Sequence, residues 1–107
     1  MGRYHHNVYV VELDPSVWDD YRFVKANPDC SARLPFLYVG VTGLTPEERF
    51  ARHKAGVQHS HIVKKYGLRL LPEMYEHLNP MPYEAAAEME AELAEDLRAA
   101  GHGVWQH

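Results

Sequence analysis

The sequence predicts a small α+β domain in which helices flank a short, mostly antiparallel sheet of three strands. Two observations lead to this prediction. Residues 8–13 and 36–41 are rich in β-branched and aromatic side chains, which is typical of strands, whereas residues 83–100 are rich in Ala, Glu and Leu, which favour a helix. The chain of 107 residues fits a single domain spanning 1–107, with one modest core.

A long connection, residues 14–35, joins the first two predicted strands. It contains three prolines, and we expect one short helical turn between residues 16 and 25. Gly40 lies inside the second strand, and a glycine in that position often marks the close approach of another backbone or of a ligand.

Two helices with clear end signals come next. Thr45 is a suitable N-cap, Pro46 fits the first helical position, and Glu48 follows Thr45 at the capping-box spacing. A helix is therefore predicted from here to about Lys54, with Gly56 as the residue that stops it. A second, shorter helix is predicted over residues 60–66, where Gly67 ends it.

The third strand is predicted over residues 68–78. It is expected at the edge of the sheet, because Pro72 has no backbone N–H to donate to a neighbouring strand. Residues 79–82 contain two prolines and should separate this strand from the last helix, which Gly101 and Gly103 end.

Composition excludes several classes of protein. Cys30 is the only cysteine, so no internal disulfide can form, which fits a reducing compartment. No apolar run approaches the roughly 18 residues of a membrane span, and residues 1–10 lack the layout of a signal peptide. We therefore expect a cytoplasmic protein without membrane contact.

The net charge of −4 hides an uneven distribution of charge along the chain. Residues 49–72 contain no Asp or Glu but six Lys or Arg residues, whereas residues 73–107 hold eight acids and a single Arg. The basic middle suggests a local anionic partner, and a solvated basic face beside an acidic helix explains the pattern equally well.

One acid of the last helix, Glu90, does not lie on the polar side of the helix with the other glutamates. The apolar stripe of this helix, at about 100° per residue, consists of Ala86, Met89, Leu93, Leu97 and Ala100. Glu90 lies at the margin of this stripe, where a carboxylate is costly unless it is paired or bound to a metal. A structural pairing with an Arg or Tyr at the edge of the core would explain Glu90 as well.

Arg49 and His53 are four residues apart on the first of the two middle helices, so they share one face, with Arg52 beside them. A guanidinium offers a fork of donors and an imidazole a tunable proton, so such a pair can bind a phosphate. An ordinary exposed pair has the same spacing. Tyr9 and Tyr38, taken alone, are typical core residues of strands.

Four segments follow one another in a recognisable order: Val8-Tyr9-Val10, Tyr38-Val39-Gly40, the helical run that ends in Arg49-Phe50-Ala51-Arg52-His53, and Glu90 on the last helix. In this order they resemble the GIY-YIG nuclease family, over nearly the whole chain. The resemblance implies a domain that hydrolyses phosphodiester bonds of nucleic acid, DNA being the expected form, with Mg²⁺ or alternatively Mn²⁺ as cofactor.

The resemblance also implies roles for individual residues. Tyr9 would activate or orient the attacking water, Tyr38 would assist, and Arg49 would stabilise charge on the phosphate. His53 would manage a proton or bond to a tyrosine hydroxyl, and Glu90 would bind the metal. Contacts with nucleic acid would come from basic residues of the middle segment, namely Arg52, Lys54, His59, Lys64 and Lys65. A domain without an appended reading module implies low sequence specificity, a homodimer or a partner protein.

Two other functions stay open from the sequence. A domain of the same fold could bind nucleic acid through its basic side chains without cutting it, or it could bind another protein through the acidic last helix. Metal-dependent cleavage separates the nuclease from both alternatives. Salt-dependent binding of nucleic acid without cleavage separates the two alternatives from each other.

Overall fold

The computed structural model describes residues 5–106, which form a four-stranded mixed sheet flanked by helices. The strands are β1 (Asn7–Leu13), β2 (Phe36–Thr42), β3 (Gly67–Leu70) and β4 (Val104–Gln106). The α-helices are α1 (Tyr21–Ala26), α2 (Pro46–Ala55), α3 (His61–Tyr66) and α4 (Tyr83–Ala99). The predicted α+β class is confirmed.

The two strands that carry the tyrosines lie at the centre of the sheet, in the order β3-β1-β2-β4. β1 and β2 pair antiparallel, with Tyr9 opposite Gly40 and Tyr38 opposite Val11. Directly opposed residues share a face of the sheet, and so do residues two apart along one strand. Tyr9 and Tyr38 therefore project from the same face.

The predicted number of strands is wrong, because β4 adds a fourth strand. This strand runs parallel to β2, whereas β1 pairs antiparallel with both β2 and β3, so the sheet is mixed. The Asn27 side chain holds this short strand, since its Nδ2 donates to the Val104 carbonyl at 3.0 Å and its Oδ1 accepts from the Val104 N–H at 2.8 Å. A strand of three residues after two glycines is too short to show an alternating pattern in the sequence.

The predicted third strand, residues 68–78, is also wrong over most of its length. The strand ends at Leu70, and two 3₁₀ turns follow, Pro72–Met74 and Glu76–Leu78. Pro72 begins the first of them, because its fixed φ suits a helical turn and its missing N–H would have interrupted a strand.

The long connection, residues 14–35, packs onto the start of β2. Its helical part consists of a 3₁₀ turn, Pro15–Asp19, followed by α1. The Trp18 ring stacks on Phe36, with 5.6 Å between ring centroids and an interplanar angle of 17°, and Phe23 packs edge-on against Phe36. These aromatic contacts fix the connection to the body of the domain.

The helix-end signals act as the sequence predicts. Thr45 and Glu48 form a complete capping box at the start of α2, and Gly56 ends this helix in the left-handed region with φ of 82°. Ser60 caps the start of α3. Along residues 5–106, the structure contains no helix with the length and apolar character that a bilayer crossing requires.

Candidate active site

Tyr9 and Tyr38 lie side by side in the core, with 6.0 Å between their ring centroids and side chains that are 1% and 2% exposed. Both rings lie over Gly40. A Cβ atom at position 40 would stand 2.7 Å from the Tyr9 hydroxyl oxygen and 2.9 Å from Tyr38 Cε2. The close approach at Gly40 is therefore made by two tyrosine side chains and not by another backbone or a ligand, as the sequence led us to expect, and position 40 has no room for a larger residue.

His53 connects this pair of tyrosines to α2. Its ring is 1% exposed, and its Nε2 lies 2.8 Å from the Tyr9 hydroxyl oxygen. The backbone N–H of Ser60 donates to His53 Nδ1 at 2.9 Å. Because Nδ1 accepts a hydrogen bond, it carries no hydrogen, and the ring hydrogen of the neutral imidazole is on Nε2. His53 therefore donates to Tyr9, and the Tyr9 hydroxyl keeps its own hydrogen for another acceptor.

The hydroxyl of the neighbouring Tyr38 is a group that can accept this hydrogen bond. Burial raises the pKa of Tyr9 far above its usual value, the neighbouring Tyr38 raises it further, and Arg49 opposes the rise. Burial also raises the pKa of Tyr38, but its hydrogen bonding with Tyr9 acts the other way and lowers it. Opposite effects of one interaction on its two partners are expected when Tyr9 donates and Tyr38 accepts. We infer from these effects a directed chain of donors, His53 to Tyr9 to Tyr38, which we call the hydroxyl chain.

Arg49 is half-buried beside the hydroxyl chain. Its Nη2 donates to the Gln58 carbonyl at 2.6 Å and its Nη1 to the Val57 carbonyl at 3.5 Å. Its positive charge lowers the pKa of both buried tyrosines, although burial outweighs this effect. The guanidinium is therefore held in place by backbone groups before any ligand is bound, and it has donors in addition to the two that these carbonyls use.

Glu90 reaches the same site from α4. It lies four residues from Ala86 and four from Ala94, both fully buried, so it projects from the buried face of the helix. Its Oε2 is shielded from solvent, and its negative charge raises the pKa of Tyr38, after the larger effect of burial. Within residues 5–106 no group of three or more His, Cys, Asp or Glu side chains could hold a metal ion. A metal at Glu90 would need waters and ligand oxygens to complete its coordination.

The basic residues predicted to bind nucleic acid do not all remain available. The Lys54 ammonium donates to the carbonyls of Lys64 and Gly67, both at 2.9 Å, so it neutralises the end of α3. Arg52 is exposed on α2. His59, Lys64 and Lys65 are exposed around one cavity, and neither Tyr9 nor Tyr38 lines it.

Sequence reasoning missed the loop that orders this site. Residues 56–60, which we call the 56–60 loop, supply the N–H of Ser60 to His53 and the carbonyls of Val57 and Gln58 to Arg49. Ser60 was predicted as the start of α3, but its contact with His53 depends on the path of the backbone. Gln58 adopts a positive φ of 44°, which no sequence signal at this position announces.

Comparisons of this chain with protein-family models, with curated proteins and with solved structures give no match.

Replacing Tyr9 by Phe tests the buried hydrogen bond to His53 and its dependence on pH. We expect the free energy of unfolding at neutral pH to fall by about 1–3 kcal/mol, because the His53 Nε2–H loses this acceptor. The pKa of Tyr9 is raised in the folded state, so its stabilising effect is complete below the unfolded value of about 10 and declines as the pH rises above it. The difference between the two proteins should therefore shrink above about pH 10.

The measurement is denaturant unfolding, followed by circular dichroism, from neutral pH to about pH 11, which lies above the unfolded tyrosine pKa. Tyr21→Phe is the matched control, because the Tyr21 side chain is 74% exposed. A stability difference for Tyr9→Phe that stays constant across this range would contradict the proposed burial of a neutral Tyr9.

Proposed function

We propose that this protein is a divalent-metal-dependent nuclease that hydrolyses phosphodiester bonds of nucleic acid. The observation that carries the proposal is the meeting, at one site, of the hydroxyl chain, the Arg49 guanidinium and the Glu90 carboxylate. The resemblance of the ordered segments to the GIY-YIG family supports it, because those segments contain the same residues. In the reaction, a water oxygen bonds to phosphorus, one P–O bond of the strand breaks, and the leaving oxygen takes up a proton.

The hydroxyl chain gives the attacking water a fixed partner. His53 donates to Tyr9 and Tyr9 donates towards Tyr38, so the Tyr38 hydroxyl, which also bonds to the Ser60 side chain, is the last hydroxyl of the chain, and we assign it the contact with a water. Burial raises the pKa of both tyrosines, so they are protonated at neutral pH in the ligand-free protein. In this state they orient water rather than remove its proton, and Arg49 is the described cation that lowers the pKa of both.

Arg49 is the residue best suited to bind the reacting phosphate. Two of its donors are fixed by the Val57 and Gln58 carbonyls, which orient the planar guanidinium towards the tyrosine hydroxyls. Preorganised donors stabilise negative charge that builds up on the phosphate oxygens, without having to reorient during the reaction. We assign Arg49 this role.

The Glu90 carboxylate fits a Mg²⁺ ion, with Mn²⁺ as an alternative. Mg²⁺ is often bound by one or two carboxylates, with waters and substrate oxygens completing the octahedron, so a single inward carboxylate is a sufficient protein ligand. A bound ion would neutralise phosphate charge and help the leaving oxygen.

A second function, binding of nucleic acid without cleavage, has one observation in its favour. Tyr9 and Tyr38 are 1% and 2% exposed, so a substrate must reach them through a small part of their surface. The exposed lysines of α3, Lys64 and Lys65, can contact a nucleic acid directly from the surface. Cleavage assays separate the two functions, because only the nuclease produces metal-dependent strand breaks.

The first experiment tests cleavage itself and the role of Glu90. We expect the protein to cut DNA or RNA in a mixed panel of single and double strands when Mg²⁺ or Mn²⁺ is present, and not in EDTA. Glu90→Gln should abolish cleavage while folding and binding survive, because the amide keeps the shape and loses the charge. Glu88→Gln is the control on the same helix, since Glu88 is exposed. Unchanged cleavage by folded Glu90→Gln would remove Glu90 from the metal site.

Replacing Arg49 by Lys tests the geometry of the guanidinium. Lys keeps the charge but lacks the planar fork, so we expect the single-turnover rate to fall by about a hundredfold to a thousandfold. Equilibrium binding should fall far less, because the contact is strongest in the transition state. Arg33→Lys is the matched control, because Arg33 is an exposed arginine outside the candidate site. Unfolding measurements show whether the loss of the two carbonyl contacts of Arg49 alters stability. Cleavage close to wild type by Arg49→Lys would exclude Arg49 as the catalytic arginine.

A further inference from the structure

A second feature of the surface is a cavity of about 480 Å³ lined by four side chains, His59, His61, Lys64 and Lys65. We call it the basic cavity. Lysine carries a positive charge at neutral pH and histidine can gain one, whereas no acid lines this space. Its volume lies within the range of about 300–1,000 Å³ that is usual for ligand pockets. Its lining selects an anionic ligand.

The contacts around the basic cavity leave the ammonium groups of Lys64 and Lys65 exposed. The Lys54 ammonium occupies the carbonyls of Lys64 and Gly67, so the lysine side chains of α3 are not needed to neutralise the end of that helix. The Lys64 chain packs along Gly56, where an added Cβ would lie 2.9 Å from Lys64 Cε. The Lys65 ammonium lies 5.3 Å from the centroid of the Tyr66 ring, which favours a cation in that position.

His59 has a defined orientation at the rim of this space. Its Nδ1 lies 2.9 Å from the Gly56 carbonyl oxygen. Since a carbonyl only accepts hydrogen bonds, Nδ1 must donate, and Nε2 is the ring nitrogen that remains for a ligand.

The basic cavity and the candidate active site share the 56–60 loop. His59 lines the cavity, the adjacent Ser60 donates its backbone N–H to His53, and the Gln58 carbonyl accepts from Arg49. An anion bound in the cavity would therefore contact the same loop that positions His53 and Arg49, the residues that we assign to the active site. Phosphates repeat along a nucleic-acid strand, so one strand can occupy both places.

We propose that the basic cavity is a phosphate subsite, which holds one backbone phosphate of the substrate strand at a fixed offset from the phosphate at Arg49. The inference has two parts. The binding of a strand phosphate in the basic cavity does not depend on cleavage, whereas the fixed offset of that phosphate from the cut linkage rests on the proposed nuclease function.

The test measures binding without cleavage. Fluorescently labelled DNA and RNA oligonucleotides of one sequence are titrated in EDTA, at several salt concentrations, with wild type, Lys64→Ala/Lys65→Ala and the control Lys25→Ala/Arg33→Ala. Both double variants lose two exposed positive charges, so a general effect of net charge would be the same in each. We expect the dissociation constant to rise roughly tenfold for the cavity variant only, with a salt slope flatter by about one to two.

A second measurement locates the phosphate. Each linkage of the oligonucleotide is replaced in turn by a neutral methylphosphonate, and the cut linkage is mapped with Mg²⁺ on the unmodified strand. One neutral linkage, at a constant offset from the cut, should weaken binding roughly fivefold for wild type and not at all for Lys64→Ala/Lys65→Ala, which is the signature of a direct pairing.

Equal losses in both double variants, equal effects of all neutral linkages, or no binding of either oligonucleotide would each overturn the subsite. Site-specific binding without any Mg²⁺- or Mn²⁺-dependent cleavage would leave the subsite standing and overturn the nuclease function. The two proposals therefore fail in distinguishable ways.

Discussion

The buried hydrogen bond between the Tyr9 hydroxyl and His53 Nε2 is the interaction on which the candidate site depends. It joins the central strand β1 to α2, and the Ser60 N–H on the other nitrogen of His53 joins α2 to the 56–60 loop. Arg49, one turn before His53, bonds to the same loop. Loss of the imidazole would leave the Tyr9 hydroxyl and the Ser60 N–H without this partner, so the contact stabilises the fold and orders the site together.

This arrangement also explains why so many polar groups lie in the interior of a small domain. Buried polar groups are tolerated when each has a partner, and a chain of donors that all point one way provides partners without any net charge. The charged groups, Arg49 and Glu90, lie at its borders, where both are only half-buried. The site thus contains the groups that phosphate chemistry needs while its centre stays neutral.

The parts of the fold that the sequence predicts correctly are those that local chemistry determines. The capping box at Thr45 and Glu48 and the left-handed Gly56 are each set by residues a few positions apart. The inward position of Glu90 also follows from a helical period. The proximity of Tyr9, Tyr38, Arg49 and Glu90 cannot be derived in this way, because helical and strand periods do not bring distant segments together.

The features that sequence reasoning missed depend on contacts between distant residues. β4 exists because Asn27, 77 positions earlier, bonds to both backbone groups of Val104, and no pattern within three residues reveals this. The early end of β3 follows from the turn that Pro72 begins. The 56–60 loop acts through backbone N–H and carbonyl groups, which every residue type except proline carries. The sequence therefore does not show which of them will contact His53 and Arg49.

The most direct test of the hydroxyl chain is the tautomer of His53, measured from the ¹⁵N chemical shifts of its imidazole in a long-range ¹H–¹⁵N correlation spectrum. The directed chain requires a neutral ring with hydrogen on Nε2 and none on Nδ1, and we expect this tautomer at neutral pH. A ring with its hydrogen on Nδ1 would contradict the chain, because His53 could then neither accept from Ser60 nor donate to Tyr9.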